Sequence, residues 1–447
     1  MKRKLLSICS LILLIAMMAV ACSDGNNAVA EVTEPVEEET TSAKETTARE
    51  TTTPYEPATI PKEDDGNLAK TETPAIIDIV NVSPDMVCVA GKCEMDAVII
   101  VRGGKDDVMF NADKNYFMGT VELLKDSTVD LQVTAKAPGK AESEPVSVQA
   151  KYRSYARQIR TDAYEVVVGG DSQGHFVSSI PYYEGTNLLE EAQITSLASR
   201  IKTRVEWLDQ NMNGAELIYV LIPTSMTLYP ETVPSKYVKT TEPNRLDQYI
   251  KGLTDGGATV IDLRDVMVAH KTDDLKLFHK TDSHWTEYGA WIAYCELMNH
   301  IAKKWEAAKP RTFEEMGFYE KEVEGGDMPY YLEIDYTKYR EIATFSNPSF
   351  KTPSDLMYYL DDNSLLMNHG TTPKYADIKS NNSSLPNAYI MRDSYGIALY
   401  NMLCERFNRT VYAAMWSYGF DQDAIKAANA NYVIYIVSER SIADVMF

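Results

Sequence analysis

The chain has 447 residues, with 65 acidic side chains against 44 basic ones and a formal net charge of −21. So acidic a surface is repelled by nucleic acid and by anionic lipid headgroups, and DNA or RNA binding is not expected. The length suggests two or three domains.

At the start, Lys2, Arg3 and Lys4 precede a nearly unbroken apolar run from Leu5 to Val20. Ala19-Val20-Ala21-Cys22 follows, with small residues before a cysteine. A secretory signal over residues 1–21 has this layout, and its core is shorter than the roughly 20 apolar residues of a spanning helix. The run resembles a lipobox, which implies that Cys22 becomes the lipidated N-terminus of an exported lipoprotein on the outer face of a membrane. An uncleaved anchor is the alternative, and either way the remainder is extracytoplasmic. Residues 22–74 are rich in Glu, Thr, Pro and Ala and poor in large apolar side chains. They read as a disordered stalk, spanning roughly 40 Å as a coil.

Residues 75–152 contain AIIDIVNV, DAVIIVRG, GTVELL, TVDLQVTAK and PVSVQAKY, short β-rich runs between turn residues. Such spacing predicts a small all-β sandwich. The stretch from Phe117 to Tyr152 resembles the end of bacterial immunoglobulin-like modules, which implies a spacer or a sugar-contacting unit. Of six cysteines, Cys9 lies in the signal. Cys88 and Cys93 flank a Val-Ala-Gly-Lys turn and could form a disulfide in an oxidising compartment. Cys295 and Cys404 fall in apolar helical patterns, where a buried free thiol is the default. No CxxC pair or His/Cys cluster suggests metal, and His279 beside Asp282 lacks further ligands.

Residues 155–447 alternate between strands and helices. YEVVVGG, ELIYVLIPT, ATVIDLRD, AYIMRDS, TVYAAMW and NYVIYIVSE are continuous apolar runs. Amphipathic stretches such as ITSLASRIKTRVEWLDQNM and TEYGAWIAYCELMNHIAKKW lie between them. The pattern predicts an α/β domain with a mostly parallel sheet covered on both faces. Its ligands would bind beyond the carboxyl ends of the strands. Residues 310–385 are less regular and read as an insertion.

Two segments carry chemistry. Thr281-Asp282-Ser283-His284-Trp285-Thr286 precedes a helix, and Met391-Arg392-Asp393-Ser394-Tyr395-Gly396 joins a strand to a helix. A serine at such a turn exposes its hydroxyl at the sheet's end, with its own N–H at a helix start where an oxyanion is favoured. An Asp two residues before a His can hold the imidazole at Nδ1 and leave Nε2 to deprotonate the serine. Capping accounts equally for Ser394, Asp282, Asp393 and Thr286. The 28 tyrosines, with Trp285, Trp291 and Trp416, could stack on sugar rings or simply pack.

Taken in order, VVVGGDSQGHF, IPTSMTLYPETVP, DSHWT, GGDM, MRDSYG and VSER span most of residues 160–447. This series resembles the DHHW proteins and the alginate O-acetylation proteins, an SGNH-hydrolase-like family. The resemblance implies an SGNH-hydrolase-like domain, a flavodoxin-like three-layer sandwich, at residues 155–447. It makes Ser394 the nucleophile, His284 the base and Asp282 its orienting acid, with Trp285, Arg392 and Tyr395 toward the substrate. Arg392 stands where SGNH hydrolases at large have glycine. Ser225 stands where alginate-type relatives often carry lysine, which bears on substrate identity.

The implied activity is O-acetylation of an exported or wall polysaccharide, without cofactor or metal. A polytopic membrane O-acyltransferase would deliver the acyl donor. Two alternatives stay open: an acetylesterase using the same residues, and a non-catalytic polysaccharide-binding or assembly lipoprotein.

Overall fold

The computed structural model describes residues 68–153, 165–240, 243–352, 357–360, 364–367 and 370–446. The expected signal, Cys22 and the expected stalk up to residue 67 lie outside these residues, as does His369. Residues 68–74 do not continue the expected stalk. Thr71 is buried, and its hydroxyl and N–H both donate to the Ala141 carbonyl. Among the described residues, no helix is long and apolar enough to cross a membrane.

Seven strands form the N-terminal module: β1 (Ala75–Ser83), β2 (Met86–Lys92), β3 (Val98–Arg102), β4 (Val108–Asn111), β5 (Tyr116–Glu122), β6 (Thr128–Lys136) and β7 (Val146–Lys151). They make two antiparallel sheets, ordered β1-β2-β5 and β4-β3-β6-β7. Successive side chains of a strand face opposite ways. Val87 and Val89 of β2 therefore enter a core shared with Ile99 and Leu131 of the other sheet. Cys88 and Ala90 face outward, where they meet Val166, Met328 and Tyr339 from the later chain. This alternation also decides the cysteines. Cys93 belongs to the inner core and Cys88 to the outer cluster, so the expected Cys88–Cys93 disulfide is not formed and both thiols are free. Burial pushes each thiol up to about 12.

β8 (Val166–Val168) and β9 (Gly174–Phe176) follow as a small antiparallel pair. The run YEVVVGG thus contributes no strand to the central sheet. It lies against the N-terminal module instead, where Thr120 donates to the Val168 carbonyl. After it come β10 (Glu216–Ile222), β11 (Thr259–Asp262), β12 (Phe318–Glu324), β13 (Arg340–Ser346), β14 (Met357–Leu360), β15 (Ser364–Met367), β16 (Gly370–Pro373), β17 (Tyr375–Lys379), β18 (Asn387–Arg392), β19 (Arg409–Ala414) and β20 (Tyr432–Ser438). The central sheet has the order β11-β10-β20-β18-β19-β17-β14. Its first five strands are parallel, and β17 and β14 extend the edge antiparallel.

The apolar runs are continuous because both sheet faces are covered. Ile218, Val220 and Ile222 of β10 share a core with Ile292, Leu297 and Met298 of the helix Glu287–Ala302. Leu217, Tyr219 and Leu221 share the opposite core with Ile194, Leu197 and Ile201 of the helix Glu191–Asn211. That helix starts with a capping box in which the Glu190 N–H donates to the Gln193 side chain at 2.9 Å. Burying each such aliphatic side chain stabilises the fold by roughly 1.5–3 kcal/mol.

Counted along the chain, the parallel strands have the spatial order 2-1-5-3-4. That departs from the 2-1-3-4-5 of a flavodoxin-like sheet. Counting from β18 and wrapping from β20 to β10 restores 2-1-3-4-5. The point where the order reverses then falls between β18 and β20.

Residues 310–385, expected to be irregular, hold the β12–β13 hairpin, the β15–β16 pair and two strands of the central sheet. In β12, Phe318 and Val323 are half-buried and every other residue is exposed. A hairpin this polar leaves no apolar periodicity to read.

Candidate active site

The Ser394 half of the site sits at the carboxyl ends of β18 and β20. The Asp393 N–H donates to the Ile436 carbonyl of β20 at 3.0 Å. One Asp393 carboxylate oxygen accepts from the Tyr395 N–H at 2.9 Å and the other from the Ser438 N–H at 2.7 Å. Asp393 is thus the cap of the turn. Ser394, half-buried, opens the short 3-10 segment Ser394–Leu399. Gly396 lets the turn close on Arg392, since an added Cβ would lie 2.5 Å from the Arg392 Cβ.

The other half is the loop before the helix Glu287–Ala302, whose N-cap Thr286 accepts from the Gly289 N–H at 3.2 Å. The Asp282 Oδ1 accepts from the His284 backbone N–H at 3.0 Å and stands 2.6 Å from its ring Nδ1. On the far side of the ring, Nε2 is 2.8 Å from the Ser394 Oγ. His284 and Asp282 keep 18% and 17% side-chain exposure, enough to reach solvent while remaining fixed. Burial alone would raise the Asp282 carboxyl, but the charge and hydrogen bond of His284 outweigh it and hold Asp282 well below the usual carboxylate range.

Two carboxylates from the inserted region hold this loop. Asp327 accepts from the Ser283 N–H at 2.9 Å and from the Ser283 hydroxyl at 2.6 Å. Burial first, and the Asp282 charge second, push the Asp327 carboxyl up to about 6. Gly326 allows the approach, because a Cβ there would lie 2.5 Å from the Asp282 Cβ. Glu341 of β13 accepts from the backbone N–H groups of Lys280 and Thr281 and from the Thr281 hydroxyl. It also faces the His279 Nδ1 at 3.3 Å. Against the penalty of burial, the His279 charge and these donors hold Glu341 down to about 2, and the pairing raises His279.

Asp282, His284 and Asp327 bring ligand-type atoms within 4.8 Å of one another. The His284 nitrogen on that side lies 2.6 Å from Asp282, a hydrogen-bond separation shorter than the roughly 3.3 Å between two ligands of a tetrahedral cation, so the pair as it stands is hydrogen-bonded and not spread around an ion. The remaining described histidines have other partners. His175 contacts Ser225 and Thr232, His270 contacts Asp273, and His300 contacts Glu216.

The expected substrate contacts do not survive. Trp285, Arg392 and Tyr395 are 2%, 0% and 2% exposed, so none offers a face to a ligand. Trp285 and Tyr395 join the halves of the site instead. Trp285 donates its indole N–H to the Tyr395 carbonyl at 3.0 Å, and the Tyr395 hydroxyl donates to the Ser283 carbonyl. Arg392 lies under the Trp416 ring, 5.0 Å from its centroid. Sequence reasoning placed all three near Ser394 and His284, but it could not tell which way each side chain points. Asp327 and Glu341 were missed. The GGDM station was the one signal available for Asp327, and Glu341 had none.

The protein carries an SGNH-hydrolase-like domain with mixed α/β content behind a β-rich N-terminal region. Residues 182–356 match the family model described as the SGNH hydrolase-like domain of the acetyltransferase AlgX, a span that includes Asp282, His284 and Asp327 and ends before Ser394. Among solved structures, the chain is similar to Bacillus cereus PatB1 at 15% identity and a TM-score of 0.46, covering 62% of this chain and 96% of that one. A DHHW family protein from Eubacterium siraeum is similar at 15% identity and a TM-score of 0.43, covering 69% and 91%. The O-acetyltransferase domain of Pseudomonas putida AlgJ is similar at 16% identity and a TM-score of 0.38, covering 62% and 91%. No curated protein sequence matches the chain.

Proposed function

We propose that the protein is a cell-surface serine O-acyltransferase that acetylates a polysaccharide, with Ser394 as nucleophile, His284 as general base and Asp282 as its orienting acid. The observation that carries this reading is the line of contacts from Asp282 through both ring nitrogens of His284 to the Ser394 hydroxyl. With the Nδ1 proton donated to Asp282, Nε2 is free to accept the hydroxyl proton. Ser394 Oγ attacks the carbonyl of an acetyl ester or thioester, and His284 takes its proton. The bond to the leaving group breaks, and His284 returns that proton to the departing oxygen or sulfur. A sugar hydroxyl then attacks the acetyl-serine, loses its proton to His284, and Ser394 leaves and recovers it. The Ser394 backbone N–H faces each oxyanion. No cofactor is needed.

The matched family model is that of an acetyltransferase, and the polysaccharide acceptor follows from the resemblance to alginate O-acetylation proteins. Export and lipidation of Cys22 would place the domain outside the membrane. A polytopic O-acyltransferase would bring the donor across. The two N-terminal sheets fit an immunoglobulin-like spacer, and the parallel strands a permuted flavodoxin-like sheet.

Labelling the full chain with a fluorophosphonate is expected to modify Ser394, and His284→Ala to suppress the adduct. Wild-type protein should move acetyl from an acetyl ester onto glycan, and Ser394→Ala should abolish transfer. Acetate release indifferent to added glycan would favour the esterase. Labelling and turnover that persist in Ser394→Ala would defeat both enzymatic readings.

A further inference from the structure

With Trp285, Arg392 and Tyr395 buried, any surface that grips a sugar chain lies elsewhere. An open cleft of about 860 Å³ borders Asp282 and Asp327, walled by the β12–β13 hairpin and by the helix Asp327–Leu332 with the turn after it. That volume is in the upper part of the range for ligand sites, which run from about 300 to 1,000 Å³. Three tyrosines line it. Tyr330 and Tyr336 are 42% and 39% exposed, and Tyr331 is half-buried. The Tyr330 ring stands 5.5 Å from that of Tyr331 and 6.0 Å from that of Tyr336, both edge to face. Clustered aromatic faces with polar rims suit pyranose rings, which present C–H faces and hydroxyl edges.

Charge narrows the class. The carboxylates of Asp282, Glu322 and Glu324 line the cleft against the cations of Lys321 and Arg340, and Arg340 lies 3.9 Å from Glu324. A polyanion would meet more like charge than counter-charge there, on a chain whose net charge is −21. A neutral glycan meets no such repulsion.

We infer that this tyrosine-lined cleft is the acceptor subsite, holding successive sugars of a neutral polysaccharide while one residue beyond Asp282 is presented across His284 to Ser394. The assignment rests on the acyltransferase reading for its purpose, and binding can be measured apart from it.

Full-length Ser394→Ala protein, which cannot turn over, is titrated calorimetrically with cellohexaose, mannohexaose and chitohexaose, and with a mannuronic acid hexamer as the acidic counterpart. We expect one or more neutral hexamers to bind and the acidic one to bind more weakly. Tyr330→Ala with Tyr336→Ala should lose about tenfold in affinity, and the corresponding Phe pair should stay within a few-fold of the parent. As a check that needs no groove variant, a bound hexamer should slow nitration of Tyr330 and Tyr336. Absence of binding by every neutral hexamer, tighter binding of the acidic one, or unchanged affinity in the Ala pair would overturn the assignment. The fluorophosphonate adduct on Ser394 reports the chemistry separately, so either reading can fail while the other stands.

Discussion

The two halves of the site are held by different means. Ser394 follows a strand with hydrogen-bonded neighbours on both sides, and its turn is capped locally by Asp393. Asp282 and His284 sit on a loop outside the central sheet, and carboxylates distant along the chain, Asp327 and Glu341, hold it. The difference is instructive. A hydroxyl can be positioned by the register of the fold, whereas the imidazole that faces it depends on buried charge, which is more sensitive to pH and to substitution.

Substitutions on the loop side should expose that dependence. The largest effect is expected from Asp282→Asn, which keeps the shape but favours the wrong imidazole tautomer. Acetyl-ester turnover should fall by about a thousandfold or more, with melting temperature little changed. A loss under tenfold would mean that the backbone of the loop, and not Asp282, sets the His284 orientation. Next comes Glu341→Gln, which leaves His279 buried without its counter-charge and halves the acceptor capacity at the Thr281 backbone. Urea unfolding at neutral pH should show a loss of about 3–5 kcal/mol. An equally conservative change on the turn side, Ser438→Ala, keeps the backbone N–H that Asp393 uses and should cost under about 1 kcal/mol.

A modest gain in place of a loss is expected at Asp327, whose folded carboxyl is raised to about 6 from an ordinary 3.8. A raised value means that the protonated form is favoured in the folded state. Its contribution is therefore fully present below the unfolded value and is lost as pH rises through the folded one. Asp327→Asn should flatten stability between about pH 4 and pH 6.5. It should gain on the order of 1–2 kcal/mol over the parent near pH 7, less whatever the weaker acceptor loses at Ser283. Parallel stability curves for the two proteins across that window would show that Asp327 does not ionise there.

How much was legible follows the same division. The parallel strands could be read because both faces of β10, β18 and β20 are buried and their sequences are apolar except at their ends. The Ser394 turn and the Asp282–His284 pair could be read because their partners are adjacent in the chain. Asp327 and Glu341 could not, since acidic residues in polar stretches of sequence look like any solvated surface, although Glu341 is buried. Trp285 and Tyr395 were misjudged for the opposite reason: an aromatic next to a reactive group is as apt to be its support as its lining, and only packing decides.

β20 lies inside the central sheet, between β10 and β18, yet it is the last of the described strands along the chain. During synthesis β10 and β11 therefore have no β20 to pair with until nearly the whole polypeptide exists, and the sheet closes only when its final segment is inserted. Contacts this distant along the chain fold slowly.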